Sequence, residues 1–204
     1  MSTVATAVRI ADLAAADRLA EANLALAGLV RPEVDAARVM DQIEHLASRV
    51  EGTTHLALRR VISIAEGIGG NVDDYYSPDN HYLDTVLATR RGVPLSLSVL
   101  WIEVGRRAGI EMEGVGMPGH FLVYAGGQLV DPFHYGEAIG FDEAAGLVAE
   151  ALGGKPRADR SWFEPVGPVQ IVRRMLLNLE RLYVDRAESH HLESVAACLE
   201  VLSP

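Results

Sequence analysis

The chain has 204 residues, 49% of them hydrophobic and 23% charged, with 18 basic side chains against 28 acidic ones for a formal charge of -10. That length buries one sizeable core, and the acidic balance opposes a nucleic-acid duplex or an anionic membrane, so neither is an expected partner. The single cysteine, Cys198, excludes an intrachain disulfide. Charged residues break every apolar run well short of a bilayer span, and no signal-like segment heads the chain, so a cytoplasmic protein is expected.

Residues 10–29 are rich in alanine and leucine, strong helix formers, and Pro32 marks a second helix running to about residue 50. In that second stretch Val34, Ala37, Val39 or Met40, Ile43 and Leu46 recur at helical spacing with Glu33, Asp41 and Glu44 between them, which is a packing stripe. A third helix is predicted over residues 56–68, stopping at Gly69-Gly70. Residues 71–80 form a turn-rich loop whose Asp73, Asp74 and Asp79 lack the ligand spacing of a calcium loop, and Asn80 is placed to cap a helix over 81–89.

The next helix opens at Pro94, a residue favoured at the first helical position, and closes at Gly109. Leu95, Leu97, Val99, Leu100, Trp101, Ile102 and Val104 leave little of its circumference polar, which predicts a central, buried helix. Ser98 and Gly105 lie on one stripe and imply another element packed close to the backbone. Short apolar segments follow at 114–117, 121–125 and 129–130, the last two joined by Gly126-Gly127 as a hairpin. Beyond Gly136 the chain returns to helix and passes a loop over 153–167. It closes with two helices, 169–184 and 189–202, whose apolar stripes pair as a helical hairpin.

A two-residue turn at Gly126-Gly127 sets Ala125 opposite Gln128, Leu122 opposite Asp131 and His120 opposite Phe133. His120 and Asp131 then share a face as diagonal neighbours, about 7–8 Å apart at the backbone. From there the carboxylate reaches the imidazole and fixes its tautomer, as the orienting acid does for a catalytic base. The residues equally allow a histidine that merely begins a strand and an aspartate entering a turn at Asp131-Pro132. Phe121, Val123 and Val130, on the opposite face, are expected in the core. No HxxxH, HExxH or cysteine-rich spacing joins His81, His134 and Asp74 to His120, so neither a metal nor another cofactor is expected.

Three stretches carry a family resemblance: Gly92-Val93-Pro94-Leu95-Ser96-Leu97-Ser98, then residues 113–121 with Pro118-Gly119-His120-Phe121, then Val130-Asp131-Pro132-Phe133. They resemble the SirB-type branch of the transglutaminase-like superfamily, closely over 75–147 and more loosely over the whole chain. The resemblance implies an α+β fold with a papain-like core, a helical N-terminal part, a small antiparallel sheet and a C-terminal hairpin similar to one tetratricopeptide unit. The expected division is 1–167 and 168–204. His120 matches the family histidine and Asp131 the family aspartate. The nucleophilic cysteine falls at Pro94, which has no reactive side chain. Ser96 lies in the first helical turn, where backbone amides favour an anion, yet two residues along a helix rotate a side chain by about 200°.

Beside a purely structural adaptor working through the terminal helical hairpin, which leaves the His120 and Asp131 pattern unexplained, two functions follow from these residues. One is a non-catalytic binding or regulatory protein that offers Pro94, Ser98, Pro118 and Phe133 as a recognition cleft to a protein or peptide. The other is an acyl-transfer or amide-hydrolysing enzyme with His120 as base, Asp131 as orienter and Ser96 as nucleophile; whether the chain is an enzyme stays open at this point. A lone tetratricopeptide-like unit has an outer apolar face to cover. Either the core covers it, with Trp162 and Phe163 beneath, or a second copy does so in a symmetric dimer.

Overall fold

The computed structural model describes residues 2–154 and 159–202. Four residues of the expected loop, 155–158, lie outside that set. The predicted first helix is two helices, α1 (Thr3–Ala15) and α2 (Leu19–Val30), because Asp17 adopts a left-handed φ of 54° and turns the chain between them. Aspartate tolerates that conformation better than most residues, and the alanine-rich composition hides the break. Helix α3 (Ala36–Ser48) starts four residues after Pro32, where the Asp35 side chain accepts from the Arg38 amide. Helix α4 (His55–Arg59) widens into a π-helical stretch over Arg60–Ala65.

Gly69 and Gly70 do not close a helix. They form strand β1 (Gly69–Gly70), which pairs in parallel with β2 (Arg91–Gly92). Glycine is required at both positions because a Cβ there would lie 2.4 Å from the Tyr135 ring and 2.6 Å from the Phe133 ring. A short 3₁₀ turn over Pro78–His81 precedes α5 (Leu83–Thr89), whose N-cap is Tyr82. Asn80 therefore is not the cap. Its amide donates to the carbonyls of Asp74 and Tyr75 and its carbonyl accepts from Asn71, tying the 71–80 loop to itself.

Helix α6 (Pro94–Arg107) is the axis of the fold, buried from Pro94 to Gly105. The sheet follows it: β3 (Glu113–Met117), β4 (His120–Ala125), β5 (Gln128–Asp131) and β6 (Glu137–Ile139). Helix α7 (Phe141–Ala151) comes next, and the last strand is β7 (Pro165–Val166). The sheet order is β6-β5-β4-β3-β7, antiparallel throughout, and the hairpin register at Ala125 and Gln128 is the expected one. Ser98 explains one half of the small-residue stripe on α6, since its hydroxyl donates to the Phe121 carbonyl of β4. Gly105 explains the other, because a Cβ there would meet Met112.

Phe121, Val123 and Val130 join the main core, as their alternation requires. Their opposite face is covered too: Leu122, Val115 and Met117 form a second small core with Ala144 and Val148 of α7. Trp162 and Phe163 pack on this second core and Phe163 meets Phe141, so they do not lie beneath the C-terminal hairpin. That hairpin, α8 (Pro168–Asp185) and α9 (Ser189–Val201), instead rests on α1 and α2. Ile171, Leu176, Val195 and Cys198 share one continuous apolar core with Ala7, Ile10 and Leu24.

Candidate functional site

His120 begins β4 and Asp131 ends β5, so both stand at the same end of the sheet. The imidazole Nε2 of His120 lies 2.8 Å from Asp131 Oδ2. Asp131 is fully buried, and its other oxygen accepts the backbone amides of Phe133 at 2.9 Å and His134 at 3.4 Å. The Asp131-Pro132-Phe133-His134 turn thus folds around the carboxylate and fixes its direction. Burial alone raises the Asp131 pKa. The hydrogen bonds and charge of His120, joined by those of His134, outweigh it and hold the carboxyl below the ordinary carboxylate range.

His134 is the residue that sequence reasoning left outside the site. Its Nδ1 lies 2.8 Å from the same Asp131 Oδ2, and its ring stacks on His120 with centroids 6.0 Å apart. The signal was present as an aspartate followed three residues later by a histidine across a turn, a spacing too common to stand out. His120, Asp131 and His134 also have ligand atoms within 4.8 Å of one another, the set among the described residues that could hold a metal ion. His81 and Asp74 are not part of it. Two ring nitrogens lie against one carboxylate oxygen and two backbone amides donate to the other.

The serines are placed elsewhere. Ser96 is buried, donates to the Asn80 carbonyl at 2.6 Å and accepts from the Val93 amide at 3.2 Å, half of a capping box at the start of α6. Ser98 is fully buried against β4. Neither hydroxyl bonds to His120. Pro94 is enclosed in the first turn of α6 and Phe133 is almost enclosed, while Pro118 is half-buried. None of the four expected cleft residues lines the cavity that approaches the start of α6. A cavity of about 800 Å³ does reach the amino end of α6, but its walls there are their neighbours Val93, Gly119 and Phe121.

Comparison with known proteins places the chain. A family model described as the transglutaminase-like superfamily matches residues 25–177. A UPF0162 protein of Xylella fastidiosa is 35% identical over 185 residues, covering 83% of this chain and 65% of that relative. A UPF0162 protein of Pseudomonas aeruginosa is 32% identical over 114 residues, covering 54% of this chain and 42% of its own. The human F-box only protein 21 is 40% identical over 70 residues, 32% of this chain and 11% of that protein. The chain thus spans less than two thirds of the length of these relatives. No solved structure gives a significant match.

Proposed function

The chain belongs to the transglutaminase-like superfamily, in its SirB-type branch, and from that premise we propose that it is a non-catalytic binding or regulatory protein acting on a protein or peptide partner. One observation carries this reading. The two hydroxyls beside Pro94, where the resemblance puts the nucleophile, are engaged in structural hydrogen bonds to backbone carbonyls. A serine hydroxyl attacks only when a base takes its proton during the reaction, and the Ser96 hydroxyl donates its hydrogen bond to the Asn80 carbonyl and not to His120. Cys198 offers no substitute thiol: it is buried in α9, and burial pushes its pKa up to about 11.

In this reading the His120–Asp131–His134 cluster is a polar clasp around the buried Asp131 carboxylate that fixes the turn at the end of the hairpin. The partner class rests on the stretch shared with F-box only protein 21 and on the cavity beside the clasp. No helix among the described residues is long and apolar enough to cross a membrane, and a lone unreactive cysteine suits a reducing cytoplasm. The test is hydrolysis of p-nitrophenyl acetate followed on the millisecond scale. No burst of p-nitrophenol and equal rates for the wild type, Ser96→Ala and His120→Ala are expected. A burst that either substitution abolishes would replace this reading with the acyl-transfer enzyme.

A further inference from the structure

The cavity at the amino end of α6 is basic on an acidic protein. One wall is the outer face of α8, which contributes Arg173, Arg174 and Arg181, against the single carboxylate of Asp185. None of the three guanidiniums pairs with an acid among the described residues. Arg174 is half-buried, and its terminal nitrogen donates to the carbonyls of Met117 and His120 at 2.7 and 3.2 Å. A guanidinium withdrawn from water without a counterion is costly, and an incoming anion relieves that cost.

The opposite wall gives a second, independent indication. His81 is only 6% exposed and lines the cavity, and its ring makes no hydrogen bond among the described residues. Burial holds its pKa down near about 4, so at neutral pH it presents one N–H and one lone pair, both unanswered. Tyr75 and Tyr76 form the rim beside it.

We propose that this trough binds an acidic segment of a partner polypeptide, with successive carboxylates received by the three arginines. The spacing favours a polypeptide over a small anion. Arg173 and Arg181 are eight residues apart, about 12 Å along the helix at 1.5 Å per residue, which no single carboxylate or phosphate bridges. An extended peptide repeats side chains on one face about every 6–7 Å and spans that length in four or five residues. Arg173, Leu177 and Arg181 are exposed, so the trough is open along one side, as a through-running chain needs. Leu177, between the arginines, supplies an apolar contact.

This inference rests on the binding reading above and names its partner chemistry. The test is fluorescence anisotropy of an N-acetylated, fluorescein-labelled hexaglutamate peptide added to the whole protein. Saturable binding in the micromolar range is expected, weakened at least fivefold by Arg181→Gln or Arg173→Gln and unchanged by Arg9→Gln, which removes an exposed charge on α1. Absence of saturable binding, or equal weakening by Arg9→Gln, overturns the proposal. Displacement of the peptide by sub-millimolar citrate or inorganic phosphate overturns it in favour of a small-anion site. A dimer that Arg181→Gln dissociates overturns it in favour of a second copy. An acetyl-ester burst with normal peptide binding would refute the non-catalytic reading and leave the trough; no burst and no binding would do the reverse.

Discussion

Replacing Asp131 by asparagine tests whether the clasp is held by an ionised carboxylate. In the wild type one buried oxygen receives two imidazoles at 2.8 Å each, while the other takes two backbone amides. Asparagine keeps the amide contacts through its carbonyl, and its NH₂ turns toward nitrogens that must then switch tautomer to accept. The His120 bond falls from a charge-assisted value of about 1.5–3 kcal/mol to a neutral one of about 0.5–1.5, a loss of roughly 1–1.5 kcal/mol, and His134, whose side chain is 55% exposed, adds about 0.3–0.5 kcal/mol more. For a chain of this size that lowers Tm by about 3–7 °C at pH 7, read by circular dichroism. The pH dependence follows from the sign of the shift. The folded pKa of Asp131 is depressed, so its contribution is complete above the unfolded value near roughly 3.9 and is lost as pH falls through the folded pKa. The gap between wild type and variant should therefore close progressively below about pH 4. A gap under about 0.5 kcal/mol at pH 7, or one that persists undiminished at pH 2, would refute the ionised clasp.

Ser96→Ala should cost about 1–2 kcal/mol, measured as a lower urea midpoint, because it removes the cap of α6 and the tie to the Asn80 carbonyl; unchanged stability would contradict that role. Gly136→Ala should lose about 3 kcal/mol or more, since φ there is 72° and a Cβ would sit 2.1 Å from the Trp101 ring, while Gly140→Ala, with open space around it, should be nearly neutral in the same melts. Native Cys198 should not react with Ellman's reagent over minutes and should react fully in denaturant; rapid labelling of the folded protein would show that α9 is not docked as described.

What could be read from the sequence was what local pattern determines. The all-apolar circumference of α6 made it the buried axis, and Gly126-Gly127 fixed a register that put His120 and Asp131 on one side of the hairpin. Other features depended on distant contacts. Gly69-Gly70 looks like a helix stop, yet its glycines answer to Phe133 and Tyr135, more than sixty residues away. Ser96 looks like a spare hydroxyl until the Asn80 carbonyl arrives to accept its hydrogen bond. The basic trough was invisible for the same reason: Arg173, Arg174 and Arg181 read as a solvated helix face, and only the docking of α8 beside the Pro78–His81 turn brings His81 into the same cavity.

In the structure no hydroxyl of the first turns of α6 is available to His120, because Ser96 and Ser98 bond to backbone carbonyls. Intact-mass spectrometry of the native protein after incubation with a serine-directed fluorophosphonate measures this directly. An unmodified mass is expected, with Ser96 buried and its hydroxyl hydrogen-bonded to a carbonyl. A single adduct mapped to Ser96, absent in His120→Ala, would contradict the account and establish the chain as an acyl-transfer enzyme.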